Sequence, residues 1–321
     1  MNTRRFLVPL ISAVVVCGLG GAVAYRFSGV VEKRELAMEM AQAKKIGLPF
    51  THDDVWGPPI PAARNAALIY AKLEARESAL NKAKNELKKL DPGKDRVAVA
   101  AALKPVEADL ALLERGASRP DCRFERSDGW DVRFGELSAM RSACDLLGYR
   151  AQEEAAAGDP LKAMRTLSAM ARVAAHMGKE PMLITKLVQS AVEESTLRSA
   201  QIVLTKYVRR ADVRTAARGL VTDFGPLPNF KDSMRGEWHF QRVTLDGLDS
   251  GKIKLDDLIS ETGSESQALS TIMRAPGLRA RQELTMVRHF MKTYEELPDD
   301  PTEVAKAIKV TEAADSRISS N

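Results

Sequence analysis

Residues Phe6 to Tyr25 run without one charged side chain, directly behind Arg4 and Arg5. A helix of about 20 residues is the length that crosses a hydrocarbon core of roughly 30 Å. Lipid offers no partner to open backbone N–H and C=O groups, so a chain crossing there must be helical. Pro9 falls in the first turn, where a missing N–H costs little. The stretch is longer than the apolar region of a usual cleaved leader, which favours a retained signal anchor. Cleavage is the alternative: Ala22-Val23-Ala24 has the small-x-small form of a processing site, and a cut after Ala24 would release the body. Arg4 and Arg5 hold the N-terminus on the cytoplasmic side. Arg26, Lys33, Arg34, Lys44 and Lys45 argue the other way, but they lie at the edge of that rule's range and among Glu32, Glu35 and Glu39. The expected topology is therefore a single span in the inner (cytoplasmic) membrane, with the body periplasmic or otherwise extracytoplasmic.

The rest of the 321-residue chain leans to helix, since aromatics are only 5% and Ala, Leu, Glu, Lys and Arg are abundant. Residues 31–46 continue as a juxtamembrane helix into the extended, proline-rich stretch Trp56-Gly-Pro-Pro-Ile-Pro61. Leucine and alanine recur every seven residues at Ala66, Leu73, Leu80 and Leu87, predicting one long helix over 62–90 that Asp91-Pro92-Gly93 ends. A second helix is expected around Arg96–Arg115, kinked or restarted at Pro105, so that the two form a hairpin. Leu137, Met140, Cys144, Leu147, Ala151 and Ala155 make one apolar stripe, closed by Gly158. Asp159-Pro160 opens the next helix as N-cap and first residue, with Met164, Leu167, Ala171, Ala174 and Met177 as its stripe. Gly178 stops it, and Pro181 starts a third helix expected to bury Ile184, Leu187, Val188, Ala191 and Val192. Helices from about Asp232 to Leu248 and from Pro276 follow, and Asp300-Pro301 with Glu303 has the form of a capping box. The divisions are 1–25 anchor, 26–61 juxtamembrane helix and stalk, 62–225 helical domain, 226–298 second helical segment packed on the first, and 299–321 terminal helix and tail. The fold class is all-α: a transmembrane helix, then a helical array of hairpin or solenoid-like bundle form. The Gly158-Asp159 turn with Ala151, Ala163 and Leu167 faintly resembles a tetratricopeptide pair, but no second copy stands at that spacing.

No established catalytic signature occurs: no GxSxG elbow, phosphate-cradling glycine loop or paired-histidine zinc helix. The 4 histidines are dispersed. Thr51-His52-Asp53-Asp54 reads as a turn or cap rather than a metal site. The densest polar-aromatic cluster is Arg235-Gly236-Glu237-Trp238-His239-Phe240. There Glu237 as general base and Arg235 as anion clamp, beside His239, would make an enzyme cleft; the plainer reading is a core tryptophan with Glu237 in a structural ion pair. Catalytic, cofactor-binding and metal-ligating residues are all expected to be none. Cys122 and Cys144 are able to pair in an oxidising compartment, although Cys144 sits on a core stripe. A net charge of +5 invites nucleic acid as a partner, but the cations are interspersed with acids, as in Lys82-Ala-Lys-Asn-Glu-Leu-Lys-Lys89, and read as a solvated face.

Gly47-Leu-Pro49 followed by Pro59, Pro61 and Asn65-Ala-Ala67, then Gly158-Asp159 with Ala163, Glu180-Pro181-Met-Leu-Ile184 and Arg235-Gly-Glu237, resembles a loose group of single-span bacterial proteins of planctomycete-like genomes. The resemblance covers most of residues 47–295 and implies a helical body outside the membrane, with no assigned activity and no catalytic residue. The functional expectation is a membrane-anchored interaction or scaffold protein of the cell envelope, with envelope proteins as partners. An enzyme centred on Arg235, Glu237 and His239, or a component of a secretion or pilus-like assembly, is the alternative.

Overall fold

In a computed structural model of the chain, the described residues are 30–127, 132–227, 229–253, 276–300 and 303. The apolar stretch Phe6–Tyr25, the Ala24 processing site and most of the terminal capping box lie outside them. Among the described residues all regular structure is helical, with one isolated bridge between Asn65 and Asp121. None of these helices is long and apolar enough to cross a membrane.

The helices are α1 (Val30–Lys45), α2 (His52–Trp56), α3 (Ala67–Tyr70, continued by a 3₁₀ turn Ala71–Arg76), α4 (Glu77–Leu87), α5 (Arg96–Leu103) and α6 (Glu107–Ala117). Then come α7 (Gly135–Ala156), α8 (Pro160–Met177), α9 (Leu183–Tyr207), α10 (Ala211–Asp223), α11 (Phe230–Asp249) and α12 (Pro276–Glu296). They fall into two compact units. One holds the described residues up to Phe50 together with Gln241–Glu296; the other holds Thr51–Phe240 and the described residues from Leu297 on. These divisions fall at Phe50 and Phe240, where the sequence suggested 61 and 225.

In the first unit α1 packs along α12, burying Leu284, Val287, Phe290 and Met291. Arg288 on α12 reaches two carboxylates one turn apart on α1, Glu39 at 2.8 Å and Glu35 at 2.9 Å. Arg242 stacks over the Phe50 ring and donates to the Phe50 carbonyl. Residues expected to continue from a membrane span as a stalk helix thus find a helical partner from the far end of the chain.

The second unit is built around α8, which touches α6, α7, α9 and α10 and buries most of its own length. Its entry follows the sequence: Gly158 turns the chain at φ +96°, and the Asp159 carboxylate accepts from the amide of Lys162 at 2.9 Å, ahead of Pro160. The expected helix over 62–90 begins late and is wound unevenly. Asn65 is held away from the helix by the 121–123 loop: its side chain donates to the Arg123 carbonyl (2.8 Å) and accepts from the Arg123 amide (2.9 Å). In the 3₁₀ turn side chains three apart eclipse, so Tyr70 and Leu73, both fully buried, aim into one core. Restarting at Pro105 occurs as anticipated, through the 3₁₀ turn Lys104–Val106. Helix α10, absent from the sequence-based assignment, packs Val213 and Leu220 inward.

The third helix of the central set departs most from expectation. It starts at Leu183, and Ile184 and Leu187 are 43% and 53% exposed. The buried side is polar: Thr185, Lys186, Gln189, Thr196 and Ser199, joined by Val192, Ala200 and Val203. Apolar periodicity locates a stripe but not its direction, and here the buried threonine hydroxyls donate to carbonyls earlier in the chain, Thr185 to Met182 at 2.7 Å, while Ser199 accepts from Gln152 at 3.2 Å. Thr196 donates to the Val192 carbonyl at 2.7 Å. That bond removes the penalty of burying the hydroxyl.

Candidate functional site

A cavity of about 650 Å³ opens where α8 ends and α9 begins, closed on its far side by the chain leading into α11. Its lining includes Ala175, Gly178 and Lys179 at the end of α8, Lys186 and Gln189 on α9, and residues of the 225–232 segment. Local sequence sets that wall. Gly225 turns at φ +71°. The Asn229 side chain then accepts from the Lys231 amide (2.9 Å) and the Asp232 amide (3.3 Å), starting α11 as an N-cap does. Lys186 and Gln189 are three residues apart and so share a face of α9 with Glu193.

Lys186 is 5% exposed and its ammonium donates to the Gly178 carbonyl, one of the open carbonyls at the end of α8. Burial draws its pKa below the usual lysine value, opposed by the negative charges of Asp232, Glu180 and Glu193. The Gln189 amide group is oriented by its own bond: Nε2 donates to Glu193 Oε1 at 2.8 Å. Its Oε1 therefore faces the other way, is buried, and meets no hydrogen-bond donor among the described residues. Gly178 is required beside it, because a Cβ there would stand 2.5 Å from Gln189 Oε1. Gly178 has an ordinary right-handed φ of −64°, so space rather than conformation accounts for glycine at this helix end.

Next to the cavity a buried ion cluster ties residues 124–126 to the helices. The Arg126 guanidinium is bidentate on Glu180 (2.5 and 2.9 Å), bonds Glu136 at 2.5 Å and donates to the Arg133 carbonyl at 2.8 Å. It lies between the Phe124 and Phe134 rings, 4.7 and 4.5 Å from their centroids, where a cation meets the π faces. Burial raises the pKa of Glu180, which Arg126 resists. With all three guanidinium nitrogens bonded, this is a structural clamp and not an open anion site.

The cluster at 235–240 is brought together in the plainer way. Glu237 accepts from the Leu183 amide at 3.0 Å, satisfying a donor in the first turn of α9. Trp238 and His239 are buried, and Gly236 sits against the Pro181 carbonyl so closely that a Cβ would lie 1.8 Å from it. Glu237 thus serves α9 as a helix cap in place of the expected ion pair. Thr51 and Asp54 form a reciprocal capping box on the short helix α2, the cap that the Thr-His-Asp run suggests. Cys122 and Cys144 are both buried and free, and burial pushes both thiols up. Among the described residues no group of three or more His, Cys, Asp or Glu is placed to hold a metal ion.

Arg126, Glu136, Lys186 and Gln189 are not singled out by the sequence, and Glu180 enters there only as part of the resemblance. The available signal is faint: Lys186 and Gln189 sit opposite the more hydrophobic side of the same helix. An apolar groove of about 550 Å³ also runs between α9 and α10, lined by Leu197, Leu204, Val208, Ala217, Val221 and Phe224 among others. Leu197, Val208 and Val221 are 55%, 55% and 70% exposed. No protein-family model, curated protein or solved structure matches the chain.

Proposed function

We propose that this chain is a membrane-anchored helical interaction protein of the cell envelope, held by Phe6–Tyr25 with its body outside the cytoplasm. The observation that carries the interaction role is the α9–α10 groove, where several large apolar side chains stay in water although the unit has a well-filled core. The occupant that fits is the apolar face of an amphipathic helix from an envelope protein. A trough between two helices accepts leucine-sized side chains at i, i+3 and i+4, and its polar members, Gln201 and Thr205, are uncharged. The anchor rests on sequence: an uncharged stretch of spanning length behind two arginines.

The test is site-specific photo-crosslinking in native membranes, with the probe at Val221 and a control probe at Val97, which is 86% exposed on α5. Defined protein adducts at Val221 and not at Val97 are expected, and equal labelling at both sites overturns the reading. Topology is tested by protease treatment of intact spheroplasts, where degradation of the body is expected. Full protection would place it in the cytoplasm.

A further inference from the structure

We infer that the outer side of α9 pairs antiparallel with α9 of a second copy of this chain, with the charges of Glu194 and Arg198 fixing the register. This rests on the interaction role proposed above and names the partner helix, because Gln201, Thr205 and Val208 belong both to this side and to the α9–α10 groove. The inner side of α9 is covered by α7 and α8. Its outer side carries a stripe at positions 184, 187, 191, 194, 198, 201, 205 and 208, spaced alternately three and four residues apart. That spacing is the seam of a two-helix coiled coil. Ala191 is half-buried and the other positions of the stripe are exposed. Ile184, Leu187 and Val208 put apolar side chains at its two ends, and Glu194 and Arg198 hold its middle.

The stripe is self-complementary in one orientation only. About a two-fold axis level with Thr196, position 194 falls opposite 198 of the second copy, 191 opposite 201, 187 opposite 205 and 184 opposite 208. Glu194 of each copy then meets Arg198 of the other, Ile184 meets Val208, and the small Ala191 leaves room for Gln201. Leu197, exposed on the flank of the stripe, lies beside its own counterpart near the axis. A parallel pair instead sets Glu194 against Glu194 and Arg198 against Arg198, which like-charge repulsion opposes. Within one chain Glu194 and Arg198 already bond to each other, at 2.6 Å between exposed side chains. An exposed pair of that kind holds weakly, so sharing it with the second copy costs little. Most layers of the seam contain a polar side chain, and the core closes without them. Each protomer therefore stays folded alone, and substitutions on this side change association rather than the unfolding of the dilute chain.

The experiment is mild oxidation of the full-length chain in detergent, with Cys17→Ala in the anchor and Leu197→Cys as the reporter, read as disulfide-linked dimer. Cys122 and Cys144 are buried and stay silent. A dimer yield at least tenfold above that of Val97→Cys, exposed on α5, is expected. Glu194→Arg or Arg198→Glu, each added to Leu197→Cys, should lower the yield at least fivefold. Mixing these two variants should restore it, since one chain then carries two cations and the other two anions at the facing positions. Both substituted positions are exposed, so neither change touches the core. Equal yields from Leu197→Cys and Val97→Cys, or a mixture no better than its components, overturn the proposal. Photo-crosslinking at Val221 keeps this failure apart from that of the interaction role. Adducts of a different protein there, without dimer at Leu197, remove the second copy and leave the role standing, whereas equal labelling at Val221 and Val97 removes the role itself.

Discussion

His176 shows how burial sets chemistry one residue at a time. It is 5% exposed, its Nδ1 lies 2.9 Å from the Tyr70 hydroxyl, and burial first, then Lys179, brings its pKa down to about 4. Between pH 6.5 and 4 the unfolded chain binds a proton here that the folded chain refuses, so stability falls as pH drops through that window. The full contribution is on the order of 3 kcal/mol. His176→Gln should flatten the pH dependence of urea unfolding across that range relative to wild type; parallel curves would contradict it. Glu180 and Glu193, both raised, act in the opposite sense but cancel in the comparison. Arg126→Met leaves Glu180 and Glu136 buried with no cation, and should cost about 3–5 kcal/mol in the same measurement. At Cys122 and Cys144, maleimide should be taken up only after denaturation, and non-reducing peptide mapping should find no link between them.

At the scale of elements, two glycines on neighbouring helices separate propensity from packing. Gly219 on α10 has no described atom within 4 Å of the place a methyl would take, whereas Gly236 on α11 abuts the Pro181 carbonyl. Gly219→Ala should stabilise by about 0.5–1 kcal/mol through helix propensity alone. Gly236→Ala should destabilise by about 2 kcal/mol or more despite the same propensity gain, because a backbone carbonyl cannot yield as a side-chain tip does. Thermal melts of the pair check the signs. Helix ends were legible wherever chemistry is local: Asp159 with Pro160, and the Gly158 turn, act within a few residues of chain. The inward face of α9 was not legible, since Lys186 and Gln189 are buried by α8 and the 225–232 segment, both distant in the helix's own register. The candidate site is illegible for the same reason, while the cluster at 235–240, distinctive in composition, caps a helix.

For the whole molecule, a filled core coexists with apolar side chains left in water. Leu187 on α9 is already 53% exposed. Leu187→Glu should therefore leave the unfolding free energy within about 0.5 kcal/mol of wild type, as surface substitutions do. Denaturant curves check this, and a large loss would mean that Leu187 is covered in the folded protein. The sequence alone determined that the body is helical, where several helices start and stop, and that one uncharged stretch is long enough for a bilayer. Each of these follows from bonds and hydropathy within a few turns of chain. Tertiary structure decided which face of α9 is inside, that α1 pairs with α12, and that Lys186, Gln189 and Asp232 share one cavity. Those depend on which surfaces meet across long stretches of chain, where the gain from closing a core outweighs the polarity of the residues that happen to lie there.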